Sequence, residues 1–388
     1  MGAGVSIPAG MPSTEQLTEA VLPVTSYQLN QDEYFEKVNS ENCDCSWPEK
    51  KILLELLLRN LKDRCEDYFE EKEPPKVNYE DIFFAASQLE EHLLEEYENP
   101  AIEPFTKALL KDLKPILLKH LVKAGLQGST TLSRGRQLRI ELRELAGLAC
   151  YYIRSVVMLE LRGEPALRNH LTCLIDAIND PRVASCDIFT LNHDLLIEEI
   201  LHKHGLAFVD GFAKPENGMA EWDPGTLEKP SGPPYLLKLH GSINWVDRPG
   251  KVPVKMLTGA WEGLRDERGN LRFPGQAHPK MLVGTFNKIR DYYETPYFDL
   301  AAVFRRQLRG IDWLVVSGYS FGDKGINTTL SEWLDSHRAA TILVLHARGD
   351  RCLDRARGAI RRRRGRMRFH EWHLCESNWG DLRSRYID

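Results

Sequence analysis

The chain has 388 residues, an ordinary globular composition and a formal net charge of −5, long enough for one large or two medium domains with cores of their own. That charge gives no overall attraction to nucleic acid. No run of about 18 apolar residues is present and no charged-then-apolar leader opens the chain, so the expectation is a cytoplasmic protein with no membrane partner. Eight cysteines are scattered; Cys43 and Cys45, the one close pair, fit neither a C-x-x-C redox motif nor a paired zinc ribbon and read as reduced thiols.

The chain opens on Gly2-Ala3-Gly4-Val5-Ser6 and continues to Ala9-Gly10-Met11-Pro12. Glycines let a backbone approach a diphosphate, whose charge is met by amide N–H groups and a helix start. The pattern is weak by itself, and a flexible tail is the plain alternative. Such a loop is ordinarily launched by a buried strand, yet only Met1 precedes Gly2. Either the sheet lacks its first strand or the start lies upstream of Met1; the second is the favoured expectation, with some ten further residues forming an apolar strand.

From about 14 to 180 the chain reads as helix with no strand pattern, its apolar residues recurring at three and four, as in Ile52, Leu53, Leu56, Leu57 and Leu61. Pro48 and Glu49 suit a first helical turn, Pro74 and Pro75 break that helix, and Asn78 caps the next, which runs through Ile82, Ala86 and Leu89. Amphipathic segments follow over 101–125 and 135–163. No internal period is present, so this is a helical subdomain and not a repeat array.

Beyond 185 short apolar runs alternate with helices. Asp187 to Leu191, Tyr235 to Leu239, Met281 to Val283, Trp313 to Ser317 and Ile342 to Leu345 read as buried parallel strands, and helices fill 194–204, 296–308 and 324–337. The segment 213–234 reads as a surface loop or flap, and 246–280 is left unplaced apart from a short hairpin. The pattern is α/β and doubly wound, with ligands gathering at the carboxyl ends of the strands.

Three further stretches fall at that edge. Thr190-Leu191-Asn192-His193-Asp194 ends one strand; Asp194 could cap the next helix, while the Asn192 amide is suited to hold a ribose hydroxyl or a water. Leu239-His240-Gly241-Ser242 closes another. Imidazole is the side chain best matched to proton transfer near neutral pH, although a lone histidine is more often a satisfied core residue. Ser317-Gly318-Tyr319-Ser320-Phe321, followed by Asp323, Ile326 and Asn327, is either a phosphate or ribose cradle or an ordinary turn with Asp323 as N-cap.

Taken in order, these four stretches resemble the sirtuin family, which opens with G-A-G-x-S-x-x-x-G-I-P and then carries T-Q-N-x-D, H-G and a G-T-S or G-Y-S-F turn. Here they read G-A-G-V-S-I-P-A-G-M-P, T-L-N-H-D, L-H-G-S and G-Y-S-F. The resemblance covers the opening loop and roughly 185–350. It implies that the backbone of Ala3, Gly4 and Ser6 cradles the diphosphate of NAD, that Asn192 orients the nicotinamide ribose or the attacking water, and that Asp194 holds the carboxamide. It makes His240 the general base and puts Gly318 and Ser320 on the adenosine side. Where sirtuins place an asparagine on the adenosine ribose, this chain has His346. NAD would be the substrate, with no metal.

The departures choose among relatives. Ser13, Thr14 and Glu15 stand where deacylases keep D-F-R after G-I-P, and neither a four-cysteine zinc module nor an acyl-peptide clamp is visible. The chain therefore looks like the sirtuin-like NADases of prokaryotic anti-phage defence, whose stand-alone members act with a HerA-type ATPase in large rings. The expected architecture is a Rossmann-like parallel sheet domain, 1–27 and 181–388, with a helical subdomain at 28–180 that covers the cofactor cleft and builds homo-oligomer contacts. The expected function is NAD hydrolysis to nicotinamide and ADP-ribose. The alternatives are a protein deacylase or ADP-ribosyltransferase, and a non-catalytic sensor of NAD or ADP-ribose controlling an ATPase. The ten arginines within 348–368 suit a solvated helix face or an inter-subunit contact better than nucleic acid.

Overall fold

The computed structural model describes residues 1–29, 35–38, 48–69, 77–94, 100–123, 131–163, 165–166, 171–228, 232–247, 251–257, 278–284, 293–354, 356 and 358–388. Two compact units divide the chain. One comprises Met1–Ser13, Leu161–Leu282 and Ile289–Asp388, the other Thr14–Glu160 and Val283–Lys288. Cys43 and Cys45 lie outside the described residues.

The second unit is built from α1 (Thr14–Val21), α2 (Pro48–Phe69), α3 (Tyr79–Leu93), α4 (Glu103–Lys123) and α5 (Thr131–Glu160). In α2 the buried stripe is Leu53, Leu54, Leu57, Leu58 and Leu61, each burial contributing about 1.5–3 kcal/mol. The stripe is rotated from the expected one, for Ile52 is 58% exposed. Asn78 caps α3 through a capping box with Asp81, as the sequence suggested. The reading of this block as free of strands is corrected by an antiparallel pair, β1 (Tyr27–Leu29) and β2 (Phe35–Lys37). Its anchors are aromatic: the Tyr27 hydroxyl donates to Glu160 at 2.6 Å, and the Phe35 ring sits 5.0 Å from that of Tyr152 on α5. Strands of three residues are too short for a period of two to register against the surrounding helices.

The first unit is layered. After α6 (Thr172–Asn179) come β3 (Ile188–Thr190), α7 (Leu196–Lys203), β4 (Met219–Glu221), β5 (Leu236–Lys238), β6 (Gly241–Asp247), β7 (Val254–Met256), β8 (His278–Met281), α8 (Tyr297–Leu308), β9 (Trp313–Ser317), α9 (Lys324–Ser336), β10 (Thr341–Leu345), β11 (Met367–His370) and α10 (Trp379–Tyr386). Strands β9, β10 and β11 are parallel with β10 central, and β3 pairs parallel with β5. Met1 donates its amine to Phe189 O and accepts from Leu191 N, while Gly2 N donates to Ser317 O. Met1 and Gly2 thus lie between β3 and β9 and tie the two parallel sheets together.

Strand β10 is apolar from Ile342 to Leu345 because both of its faces are covered there. Ile342 and Val344 enter a core with Leu300 and Phe304 of α8 and Leu330 and Trp333 of α9. Leu343 and Leu345 enter a different core with Leu174 of α6, Ile197 of α7 and Leu382 of α10. Helices on both faces of a parallel sheet make this unit α/β.

Two strand expectations are revised, and one strand was not anticipated. Of the run Met281 to Val283 only Met281 lies in a strand, as the last residue of β8, which is antiparallel to β6 in the sheet β4-β7-β6-β8; an apolar run carries no strand direction. The expected loop at 213–234 contains β4, anchored by Trp222 against Phe212 and Trp245. Strand β11 was hidden by its arginines, yet Met367 is buried between them. That arginine-rich stretch is tied down locally: Arg363 bonds Asp335, Arg364 pairs with Asp350, and Arg366 donates to the carbonyls of Leu334, His337 and Ala340 around the end of α9.

Candidate active site at the carboxyl ends of the parallel strands

Strands β3 and β5 are in register with Thr190 opposite Lys238. Asn192 and His240 each follow two residues later, so neighbouring parallel strands deliver an amide and an imidazole to the same edge. Both are buried. The turn after β3 is set by Thr190, whose hydroxyl accepts the Asn192 N–H at 3.1 Å. The Asn192 side-chain nitrogen then donates to Gly2 O at 3.1 Å and Ser6 Oγ at 2.9 Å. A carbonyl acceptor fixes which end of the amide is nitrogen. With both hydrogens committed, Oδ1 is the atom with which Asn192 would hold a hydroxyl or a water.

The opening loop is held by the turn after β9. Gly4 N donates to Gly318 O at 3.1 Å. Gly318 has φ +66, and a Cβ there would stand 2.6 Å from Val5 N and 2.7 Å from Gly2 O. Two backbones cross here with no space for a side chain, which joins the first and fourth stretches. Of the amides expected to meet a diphosphate, those of Gly4 and Ser6 donate within the protein, Ser6 N to Ala3 O. A phosphate at this loop in its present conformation would share those donors or use exposed Ala3.

The third stretch joins the fourth through His240, whose Nε2 lies 3.2 Å from Asp323 Oδ2. Asp323 is the N-cap of α9, its other oxygen accepting Ile326 N–H at 2.9 Å. Gly241 has φ +79, and a Cβ there would meet Lys280 O at 2.2 Å, so only glycine lets the chain turn from His240 into β6. The His193 ring lies 6.4 Å from that of His240.

Asp194 accepts Leu196 N–H at 3.1 Å at the start of α7, whose N-cap position is Leu195. Beneath it, buried Lys238 donates to the carbonyls of His193 and Asp194 and to Glu198 at 2.9 Å. A cation in an otherwise apolar strand persists only when so satisfied. Sequence reasoning passed over Lys238, although a charge within Leu236-Leu237-Lys238-Leu239 was the available signal.

The remaining expected residues are more dispersed. Ser320 is exposed. The neighbouring Phe321 is fully buried at φ +57, a conformation that costs a bulky residue about 1–3 kcal/mol. It is held by Asn327, whose amide donates to Phe321 O at 2.7 Å. His346, at the end of β10, accepts Arg348 N–H on Nδ1 at 3.1 Å. Burial first, with the charge of Arg348 and the neighbouring His373, depresses its proton affinity below that of an ordinary histidine.

Among the described residues, no group of three or more His, Cys, Asp or Glu side chains is placed to hold a metal, and no helix is long and apolar enough to cross a membrane. Residues 187–364 match the family model described as SIR2-like domain. The match begins at the entry to β3 and takes in the turns carrying Asn192, His240 and Gly318, while the glycine loop lies outside it. Such domains are in general NAD-dependent enzymes, and the match supports a sirtuin-like domain in this part of the chain. No curated protein matches the chain.

Proposed function

We propose that this chain is an NAD glycohydrolase, cleaving NAD with water to nicotinamide, ADP-ribose and a proton. The observation that carries the reading is that Asn192 and His240 each follow, by two residues, the register partners Thr190 and Lys238 of adjacent parallel strands, with the glycine loop hydrogen-bonded to that same asparagine.

The C1′–N bond breaks with its electron pair moving to the ring nitrogen, which neutralises the nicotinamide cation. The ribose passes through an oxocarbenium-like state that polar groups stabilise. Asn192 Oδ1 accepts a hydrogen from the ribose or from the water, and Asp194 receives the carboxamide N–H on the oxygen turned away from Leu196. Water forms the new bond to C1′, and His240 takes its proton before passing it to solvent. Ala3, Gly4 and Ser6 hold the diphosphate side, and Gly318, Ser320 and His346 the adenosine side. The residues fit such a substrate in kind: a crossing of glycine backbones, an oriented amide and an imidazole at one sheet edge.

With the resemblance to defence NADases, the reading extends to NAD depletion in an infected cell, by a homo-oligomer working with a HerA-type ATPase. The test is incubation of purified protein with NAD and chromatography of the products. Nicotinamide and ADP-ribose in equal amounts, without any acyl-peptide, support the reading; turnover only with an acylated peptide points to a deacylase, and binding without turnover to a sensor.

A further inference from the structure

Lys238 is a charge within the apolar run Leu236-Leu237-Lys238-Leu239, and its side chain is only 3% exposed. An ammonium group carries three hydrogens and accepts nothing. Here they meet His193 O at 3.4 Å, Asp194 O, and Glu198 Oε1 at 2.9 Å. Two of these acceptors are consecutive carbonyls of the turn that carries Asn192. A buried ion pair adds little net stability over apolar side chains of similar size. Stability by itself therefore gives no reason for an ammonium where leucine would fill the strand, whereas its reach to those two carbonyls does. Asp194 O lies one residue ahead of Leu195 O, which takes the Glu199 amide at the start of α7, so Lys238 supplies a donor from outside the helix.

The same turn is gripped from the other side of His240. Ser242, fully buried, donates its hydroxyl to His193 O at 3.2 Å, and the Ile243 amide donates to the same oxygen at 3.0 Å. His240 thus stands between two residues, Lys238 and Ser242, whose side chains both bond the carbonyl of the residue that follows Asn192. We propose that Lys238 and Ser242 are positioning residues for the reaction: by holding the carbonyls of His193 and Asp194 they fix the Asn192 amide relative to the His240 imidazole. The inference rests on the NAD hydrolase reading for the reaction served, and on these hydrogen bonds alone for the clamp. Misplacing a reacting group by about 1 Å costs up to about 10²-fold in rate, so the clamp acts on kcat more than on KM.

The test uses the full-length protein, with amide hydrogen exchange read by mass spectrometry of peptides and NAD turnover measured alongside. Lys238→Met alone would leave the Glu198 carboxylate buried and unpaired, so the variant used is Lys238→Met with Glu198→Gln, and Glu198→Gln alone is its control. In the double variant, exchange is expected to quicken at least about tenfold over 190–196 and 241–245 and to keep the parent rate over 342–345. Its kcat is expected to fall by about 10- to 100-fold, with KM within about threefold of the parent. Glu198→Gln, which keeps both carbonyl bonds, should stay within about threefold in kcat. Ser242→Ala introduces no unpaired charge and should quicken the same two segments, with a kcat lower by about three- to tenfold. It decides the matter if the double variant does not fold. Parent-like exchange in those segments, or exchange that quickens equally throughout the chain, overturns the proposal. Quickened segments with a parent-like kcat overturn it as well. If the parent protein never releases nicotinamide from NAD, the exchange rates still decide the clamp and only the NAD hydrolase reading fails.

Discussion

Asn192 bonds Ser6 and Gly2 with one amide group, at 2.9 and 3.1 Å, across 186 and 190 positions of sequence. This one side chain fastens the opening loop to the turn after β3. Removing it in Asn192→Ala takes the donor from a buried hydroxyl and leaves the Gly2 carbonyl with the Val5 N–H alone, and stability is expected to fall by about 1–3 kcal/mol. Ser6→Ala, which leaves the Gly2 bond in place, should cost about 1 kcal/mol. Urea unfolding of both variants and of the double variant checks this, and costs that simply add would show that the two residues are not coupled.

Gly318 should tolerate no side chain. Gly318→Ala drives a Cβ into Val5 N and Gly2 O at under 3 Å in a backbone conformation that alanine resists, so a loss of more than about 2 kcal/mol is expected. Ser320→Ala, two residues along and exposed, is expected to stay within about 0.5 kcal/mol of the parent. Thermal melts of the two proteins distinguish them.

Acid should weaken the tie between the end of α6 and α10. Asp180 accepts from the Arg182 backbone N–H and from the Trp379 indole at 2.8 Å, with the Arg182 and Arg383 guanidinium groups beside it. The Arg182 amide first and the indole next hold its carboxyl below the usual 3.8. A depressed folded-state value means that the stabilisation is present above the ordinary carboxylate range and is lost as pH falls through the folded value. Asp180→Asn should therefore lower the melting temperature at pH 7 and pH 5 alike, with the gap narrowing below about pH 4. A gap that widens with acid would contradict this.

Much of the candidate site was legible because its residues sit at strand ends. Asn192, His240 and Gly318 could be placed from the apolar runs that precede them, and Asn78 and Asp323 from their capping positions. Strand direction was not legible at Met281, since an apolar run looks the same in either sense. The pair β1 and β2 was too short to interrupt a helical reading, and the arginines around Met367 hid an edge strand. Contacts between distant segments, such as His240 with Asp323, depend on register and had no local signal, whereas Lys238 was marked by its charge within an apolar strand but its partners were not.

The described thiols should be slow to react in the native state. Burial pushes Cys65, Cys186 and Cys352 up to about 11 and Cys173 to about 12. Thiolate is the reactive form, so alkylation of these four at pH 7.5 should run at least about 100-fold slower than in urea. Peptide mass mapping after timed labelling reads this out, and rapid native modification of Cys173 would show that its surroundings are open.

The most direct measurement is NAD turnover by the parent protein, Asn192→Ala, His240→Ala and the double variant, with Ser6→Ala as a control for loosening of the loop. Nicotinamide release should fall by at least about 100-fold in each of the first two variants, no further than that in the double, and much less in Ser6→Ala. Parent-like turnover in folded Asn192→Ala and His240→Ala proteins would contradict a shared reaction centre at this sheet edge.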